Sequence, residues 1–365
     1  MKSKVINYGA GPAKIPEEVM AKARDEFLEY AGTGVSVLEM SHRSVDFTSM
    51  KMETEKLLRE QMSIPDEFDV LFMQGGGSGQ FAAIPLNLKG NKSSADYAVT
   101  GAWSAKAASE ATKYLTVNEV FKPTKPYVTI PEYSTWQRSD EAAYLYYCHN
   151  ETVHGIEFHN PPETFANVPL VADVSSDILS GPFSFKNHGV VFAGTQKNLG
   201  MAGLTILIVR KDLLGKESQM TPSVMNYNVM AMNKSNYNTP CVYGIYLTKL
   251  ILEWIRDLGG VHTLYERNMA KSSYIYNIID SSNGFYTCPV DKKYRSIMNI
   301  PFRIGGTAAN EELEKKFLVG AIDRGMIGLK GHRSVGGIRA SLYNAITIKE
   351  ATQLGDYMLE FMEER

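Results

Sequence analysis

The chain has 365 residues, of which 44% are hydrophobic and 21% are charged, a profile typical of a globular protein. Its 38 basic and 40 acidic residues leave a formal net charge of −2, which argues against a nucleic-acid-binding or anionic-membrane-binding protein. The length fits two domains better than one core, and any anionic ligand has to be attracted by local basic residues.

Short apolar runs alternate with helical patterns along the first two thirds of the chain, which is typical of an α/β domain with a mainly parallel sheet. The glycine-rich segment QGGGSG follows the first of these runs, and the segment GAWSAKAASEATKY after the second is predicted to be helical. In chain order the predicted strands cover residues 69–73, 95–100, 144–148, 169–174, 190–193 and 204–209.

A long helix is predicted over residues 243–258, because apolar residues recur there at steps of three and four. The two glycines that follow would end it. Beyond this point GFYTCPV and MNIPFRI indicate strands, and NEELEKKFLVGAIDRG indicates an amphipathic helix that starts after Asn310. We therefore predict a large domain over 16–260 and a smaller domain built from 1–15 and 261–365.

Ligands of an open α/β sheet bind beyond the carboxyl ends of the strands. Five notable features fall at such ends, each after a different predicted strand: the glycine segment 75–79, Trp103, Thr152, Asp173 and Lys197. Because independent strand ends meet along one edge of the sheet, we expect these residues to share one crevice.

The glycine segment predicts a strand, a loop and the start of a helix, where exposed backbone N–H groups bind phosphate and Ser78 adds a hydroxyl. A plain tight turn is the equally good alternative. The segment is not a Walker loop, because no Gly-Lys-Ser/Thr follows. It contains G-x-G-x-x-A at 77–82, which leaves a nicotinamide-binding dehydrogenase as an alternative, although the nearest candidate for the ribose-binding acid, Asp96, begins a strand.

Asp173 closes an apolar run, so it either caps the following segment or partners a buried cation such as a protonated ring nitrogen. Most lysines are solvated, but Lys197 lies between two apolar runs, where desolvation would lower its pKa and make the amine nucleophilic. An amine, an aspartate and a phosphate-binding loop are the groups that pyridoxal phosphate requires. Trp103 is either a ring that stacks on this cofactor or a core residue.

Seven motifs in this order resemble the phosphoserine aminotransferase family of fold-type I, class-V pyridoxal-phosphate enzymes, and the resemblance runs from residue 7 to about 361. The motifs are SVLEMSHRS, QGGGSGQFAAIPLNL, TGAWSAKA, NETVHGIEF, FAGTQKNLG, YNTP and KGHRSVGGIRASLYNA. The family fold implies a large domain with a mainly parallel seven-stranded sheet and helices on both faces, and a smaller α+β C-terminal domain.

The resemblance also implies roles for single residues. Lys197 would form the Schiff base with the cofactor, Asp173 would hold the ring nitrogen protonated and Trp103 would stack on the ring. The remaining cofactor-binding residues would be Thr152 near the ring, Gly77, Ser78 and Gln196 at the phosphate, and Asn238 and Thr239 reaching the same phosphate from the other subunit of a homodimer. The substrate-binding residues would be Arg339 at the α-carboxylate and His42, Arg43, His332 and Arg333 at the distal group, from either subunit.

The activity that the resemblance implies is ping-pong transfer of an amino group from L-glutamate to 3-phosphohydroxypyruvate, which yields 2-oxoglutarate and O-phospho-L-serine. One pocket then has to hold a carboxylate and a phosphate, and the repeated His-Arg-Ser of SHRS and GHRS fits such an anion clamp. Either His-Arg dipeptide alone would be interpreted as a basic pair on the protein surface. Tyr8 and Thr195 depart from the usual family residues without removing a functional group.

Two further alternatives stay open, a cysteine desulfurase and a non-enzymatic binding protein of the same fold. Desulfurases generally stack a histidine on the ring and need a mobile cysteine in a loop. Cys148, Cys241 and Cys288 show no such loop and no zinc spacing, so we interpret them as reduced thiols. With no signal or transit peptide and no long apolar run, we expect a cytoplasmic protein without a metal, a nucleic-acid partner or a membrane anchor.

Overall fold

The computed structural model describes residues 5–306 and 308–364. Residues 1–4, 307 and 365, which belong to the predicted small domain, lie outside the described residues. The strands are β1 (Ile6–Asn7), β2 (Phe68–Met73), β3 (Ser94–Ala98), β4 (Thr116–Glu119), β5 (Leu145–Cys148), β6 (Asn150–Glu151), β7 (Ile156–Glu157), β8 (Leu170–Asp173), β9 (His188–Gly194), β10 (Thr205–Arg210), β11 (Tyr286–Thr287), β12 (Asn299–Ile304), β13 (Met326–Ile327) and β14 (Ile338–Ser341). The helices are α1 (Glu17–Asp25), α2 (Val45–Met62), α3 (Gly76–Leu88), α4 (Ala102–Ala111), α5 (Tyr227–Met232), α6 (Val242–Asp257), α7 (Gly260–Ser281), α8 (Glu311–Asp323) and α9 (Ile348–Glu363).

The main sheet has seven strands in the order β2, β10, β9, β8, β5, β3 and β4. Strand β10 runs antiparallel to both of its neighbours, and the other pairs are parallel. The predicted mainly parallel seven-stranded sheet is therefore confirmed, and six of its strands are those that the apolar runs indicated. The seventh, β4, was missed because the edge strand TVNE is partly exposed and has no apolar run to reveal it.

Helices cover both faces of this sheet, as predicted. Strand β9 is buried along its whole length, and alternate residues face opposite layers. Val191 and Ala193 pack in the layer that contains residues of α2 and α6. Val190 and Phe192 pack in the layer that contains residues of α3 and α4. The carboxyl ends of the parallel strands are thereby left as the open edge between two helical layers.

A second apolar core gathers β1, β11, β12, β14 and the last two helices, and β1 pairs with β13. Helix α7 contributes to both cores, since Val261 and Leu264 join the sheet core while Ile275 and Ile279 join the second. The predicted division into 16–260 and 1–15 with 261–365 stays a prediction, because one helix spans the two cores. The predicted strand GFYTCPV shortens to the two residues of β11, which ends just before Cys288 and Pro289.

The predicted helices 243–258 and the one after Asn310 are both present, as α6 and α8. Gly259, at φ +100°, ends α6 in the left-handed region that favours glycine, and α7 begins at the next residue. The side chain of Asn310 accepts hydrogen bonds from the backbone N–H groups of Glu312 and Leu313, which caps α8 as its sequence position suggests.

We expect Phe317→Ala to lower the free energy of unfolding by about 3–5 kcal/mol, the usual effect of deleting a fully buried aromatic ring. Phe317 is fully buried on α8 and its ring contacts Phe302 and Tyr357. Val319→Ala, two residues away on the exposed face of the same helix, should change stability by no more than about 0.5 kcal/mol. Denaturant unfolding of both variants tests this, and equal losses would contradict the assignment of Phe317 to a packed core.

Candidate active site

A cavity of about 420 Å³ opens at the carboxyl ends of the central strands. Its walls come from the glycine segment, α4, the loops after β5, β8 and β9, the N-terminal loop and β14. The predicted site residues among its lining are Gly77, Ser78, Trp103, Thr152, Asp173, Gln196, Lys197, His332 and Arg339. A larger cavity of about 670 Å³, lined by Asp177 and His149 among others, contains none of the predicted residues.

Lys197 follows β9 in the loop before β10, and its amine points into this cavity. Its Nζ donates a hydrogen bond to Thr152 Oγ1 at 2.7 Å and lies 6.0 Å from the centroid of the Trp103 ring. Burial lowers the pKa of the Lys197 amine, and the carboxylate of Asp173 opposes this shift without overcoming it. The amine is therefore more often neutral, and hence more nucleophilic, than an exposed lysine at the same pH.

Asp173 is the last residue of β8 and is buried. Its Oδ1 accepts a hydrogen bond from the backbone N–H of Ser175 at 2.9 Å, and its Oδ2 lies only 3.8 Å from where a Cβ on Gly77 would stand. Burial raises the pKa of this carboxyl group, against the hydrogen bond from Ser175 and the charge of Lys197. A buried carboxylate of this kind favours a cationic partner, such as a protonated ring nitrogen, in the cavity.

The glycine segment forms the turn from β2 into α3. Gly75 takes φ +96°, and the backbone N–H of Gly76 donates to Thr205 Oγ1 at 2.8 Å. The backbone N–H of Gly79 donates to the carbonyl of Gly75 at 2.9 Å. Helix geometry leaves the intervening N–H groups, those of Gly77 and Ser78, without an intrahelical acceptor. The first turn of α3 therefore offers two donors, and the positive end of a helix dipole, to an anion.

Trp103 is held by a residue that the sequence did not reveal. The fully buried carboxylate of Glu151 accepts hydrogen bonds from the backbone N–H groups of Trp103 at 3.0 Å and Ser104 at 2.8 Å, and from the Ser104 hydroxyl at 2.6 Å. It caps α4 in place of Gly101, where a Cβ would collide with this carboxylate. In sequence, a glutamate within NETVHG looks like a surface residue, and only its position next to Thr152 hints at more.

Three loops that carry site residues are joined by buried asparagines. Asn198, next to Lys197, donates from Nδ2 to the carbonyl of Ile178 at 2.9 Å and accepts from the backbone N–H of Asn344 at 3.0 Å. Asn344 in turn donates from Nδ2 to the carbonyl of Leu179 at 2.9 Å, and its Oδ1 accepts from Nδ2 of Asn268. The loops after β8, β9 and β14 are thus fixed relative to one another.

Arg339 lies on β14 at the far side of the cavity. Its Nη1 donates to the carbonyl of Thr152 at 3.3 Å, and burial lowers the pKa of the guanidinium. Burial, helped by Arg339 and Arg333, also lowers the pKa of nearby His332. The predicted anion clamp therefore contains a histidine whose charged form is disfavoured by burial and by the two neighbouring guanidinium groups.

The N-terminal loop closes over the lysine. Gly11 takes φ +129°, and a Cβ there would stand 3.3 Å from Cγ of Lys197. The Tyr343 hydroxyl donates to the carbonyl of Ala10 at 2.8 Å, and the backbone N–H of Ala13 donates to the carbonyl of Gln196 at 2.9 Å. Nothing in the sequence of this Gly-Pro segment indicates that it touches the lysine.

The donor set fits pyridoxal phosphate. Two buried nitrogens that line the cavity, Trp103 Nε1 and Arg339 Nε, have no hydrogen-bond acceptor among the described residues. An amine, a carboxylate and a pair of free backbone N–H groups stand around the same space, which matches an aldehyde, a ring nitrogen and a phosphate in chemistry. The arrangement therefore suits a phosphorylated aromatic aldehyde together with a carboxylate substrate.

Five predicted residues do not line the cavity of this one chain: His42, Arg43, Asn238, Thr239 and Arg333. His42 and Arg43 precede α2, and Arg333 is exposed. The carbonyl of Thr239 accepts a hydrogen bond from the side chain of Gln74, just before the glycine segment, at 2.9 Å. Their roles in binding stay predictions.

Residues 5–354 match the model of the family described as aminotransferase class-V. The chain is 62% identical to a probable phosphoserine aminotransferase of Caenorhabditis elegans, over 98% of this chain and 97% of that protein. Phosphoserine aminotransferase from Bacillus circulans subsp. alkalophilus has a similar solved structure, with a TM-score of 0.96 and 42% identity over 100% of both chains. A second, pyridoxal-phosphate-bound phosphoserine aminotransferase from Trichomonas vaginalis has a TM-score of 0.94 and 37% identity, over 98% of this chain and 100% of the other.

We expect the amine of Lys197 to keep reacting with a small acetylating reagent as the pH falls below the ordinary lysine pKa of 10.5, because its own pKa is lowered. Lys113 is the internal control, since its hydrogen bond to Glu110 raises its pKa. The rate at Lys113 should fall about tenfold per pH unit below its pKa. Peptide mass spectrometry of the cofactor-free chain measures both rates, and parallel pH profiles would contradict the lowered pKa.

We expect Asn198→Ala to lower the free energy of unfolding by about 1–3 kcal/mol, because it leaves a buried carbonyl and a buried N–H group unpaired. It should also move the labelling profile of Lys197 toward that of an exposed lysine, since the loop loses its anchor. Asn118→Ala is the matched control, because it removes two amide hydrogen bonds on the edge strand β4. An unchanged Lys197 profile in Asn198→Ala would show that this asparagine does not position the lysine.

Proposed function

The chain belongs to the class-V aminotransferase family, and from that premise we propose that it is a phosphoserine aminotransferase. It transfers the amino group of L-glutamate to 3-phosphohydroxypyruvate and yields 2-oxoglutarate and O-phospho-L-serine, a step of serine biosynthesis. The observation that carries this proposal is the meeting of Lys197, Asp173 and Trp103 in one cavity beside a phosphate-binding helix start. Relatives with this activity align over nearly the full length of the chain.

When bound, pyridoxal phosphate would supply an aldehyde for the substrate amine and a ring able to accept an electron pair from the substrate Cα. Asp173 would hold the ring nitrogen in its protonated form, because a buried carboxylate and a cation stabilise each other. Lys197 Nζ would accept the proton from the Cα of glutamate and would deliver a proton to the Cα of the product O-phospho-L-serine. Thr152 holds this amine in position through the 2.7 Å hydrogen bond.

Arg339 binds the α-carboxylate of either substrate, since a guanidinium offers paired donors that match a carboxylate. Its buried Nε has no acceptor among the described residues. We place the distal carboxylate of glutamate and the phosphate of 3-phosphohydroxypyruvate with His332, Arg333, His42 and Arg43. A net charge of −2 makes this local basic cluster necessary.

We further propose a homodimer, in which Asn238 and Thr239 of each subunit reach the phosphate bound by the other. Support comes from the resemblance and from their position outside the cavity of a single chain.

The proposed location is the cytoplasm, which fits three cysteines without a disulfide partner. Across the two described ranges, no helix is both long and apolar enough to cross a bilayer.

The geometry gives less support to two of the alternatives, the nicotinamide-dependent dehydrogenase and the cysteine desulfurase. Asp96, the nearest candidate acid for a nicotinamide ribose, lies in the middle of β3 rather than at its end and accepts hydrogen bonds from Asn118 and Ser139. Cys148 lines the cavity, but burial raises the pKa of its thiol well above the usual range, so the thiolate that a desulfurase needs is disfavoured.

The test is a coupled assay with glutamate and 3-phosphohydroxypyruvate, read together with the visible absorbance of the bound cofactor. Glutamate should bleach that absorbance and 3-phosphohydroxypyruvate should restore it, while pyruvate, which lacks the distal anion, should restore it far more slowly. Lys197→Ala should lower turnover by at least about 10²–10⁴-fold, the effect of losing a positioned acid-base group. Lys113→Ala is the control at an exposed lysine.

Two results would refute the proposal. One is turnover by Lys197→Ala at the wild-type rate. The other is binding of a nicotinamide cofactor, detected by difference absorbance, with no response to glutamate.

A further inference from the structure

Lys106 lies on α4, one turn after Trp103, and reaches the glycine segment. Its Nζ donates a hydrogen bond to Ser78 Oγ at 3.0 Å and stands 5.4 Å from the centroid of the Trp103 ring. Its side chain is otherwise exposed. The Lys106 ammonium therefore lies next to both Ser78, in the first turn of α3, and Trp103, the residue that would stack on the cofactor ring.

The phosphate site is short of positive charge without it. A phosphate monoester carries about −1.5 to −2 charges at neutral pH. The groups offered by the glycine segment, two backbone N–H groups and the Ser78 hydroxyl, are neutral, and so is the amide of Gln196. Within residues 5–306 and 308–364, Lys106 is the only cationic side chain hydrogen-bonded to segment 75–79.

The other cations of the cavity are engaged elsewhere. The amine of Lys197 donates to Thr152, and its lowered pKa favours the neutral form. Arg339 donates to the Thr152 carbonyl on the β14 side. A charge-assisted hydrogen bond from an ammonium is about twice as strong as one from a neutral donor, so the Lys106 ammonium beside the turn should change affinity for a dianion more than any neutral donor there.

We propose that Lys106 is a cofactor-binding residue that pairs with the phosphate of pyridoxal phosphate, with its ammonium held by the Ser78 hydroxyl and the face of the Trp103 ring. This inference rests on the proposed function, because it assumes that cofactor. It assigns the charge at the phosphate end to α4, while the first turn of α3 supplies the neutral donors.

The experiment compares two ligands that differ by the phosphate alone. Equilibrium binding of pyridoxal phosphate and of pyridoxal to the full cofactor-free chain is measured for the wild type, Lys106→Met, Lys106→Arg and Lys113→Met. Lys113 follows the same helix and is paired with Glu110 at 2.6 Å, away from the cavity, which makes it the matched control.

Lys106→Met should weaken pyridoxal phosphate binding about tenfold to a hundredfold, the range for a hydrogen bond to a charged group, and leave pyridoxal binding within about twofold. Lys106→Arg should recover most of the loss, and Lys113→Met should behave as the wild type. Added salt should weaken pyridoxal phosphate binding more in the wild type than in Lys106→Met, because salt screens the ammonium–phosphate attraction.

Three outcomes would overturn the proposal. An equal loss for both ligands would mean that Lys106 acts only by orienting Trp103. Unchanged binding of pyridoxal phosphate would make Lys106 a surface lysine. A wild-type chain that binds neither ligand would refute the proposed function itself, and the role of Lys106 with it, and this result is distinct from the first two.

Discussion

The active site depends on hydrogen bonds that join three strand-end loops below the cavity. Asn198 and Asn344 each donate and accept at once, so each amide fixes two segments at a defined distance without burying a charge. Helix α7 fixes the last of these segments a second time, because the buried ammonium of Lys271 donates to the carbonyls of Leu342, Tyr343 and Ile346. Asp173, Lys197 and Arg339 come from separate parts of the chain, and these links fix their loops in addition to the pairing of β8 with β9.

The electrostatics of the cavity follow from burial, which the mutual attraction of Lys197 and Asp173 opposes but does not overcome. Burial lowers the pKa of Lys197 and raises that of Asp173, so it acts against the charged form of each. Each group therefore suits a ligand of complementary chemistry, an aldehyde for the Lys197 amine and a cationic ring for the Asp173 carboxylate. The same reasoning applies to His332, whose pKa is lowered by burial and by the neighbouring cations Arg339 and Arg333.

The N-terminus of α4, which carries Trp103, is capped by a residue from another segment of the chain. Gly101 has no side chain to cap α4, and the buried carboxylate of Glu151 takes that role from another segment. Thr152 follows Glu151 directly. The hydrogen bond to the Lys197 amine and the cap of α4 therefore come from consecutive residues. The Trp103 ring and the Lys197 amine are thereby positioned by the same short segment of the chain.

The sequence by itself determined most strands of the sheet and six residues of the cavity, because apolar runs encode burial and polar residues at strand ends encode the open edge. The other three predicted lining residues, Gln196, His332 and Arg339, followed from the family resemblance. It could not reveal β4, Glu151, Gly11 or the asparagine links, since a polar residue has the same appearance in sequence whether it is solvated or paired across the fold. The division into domains, the roles of His42, Arg43 and Arg333 and the contribution of a second subunit stay predictions. Only the tertiary structure decided which polar groups face one another, because that depends on contacts between residues such as Asn198 and Asn344, which lie far apart along the chain.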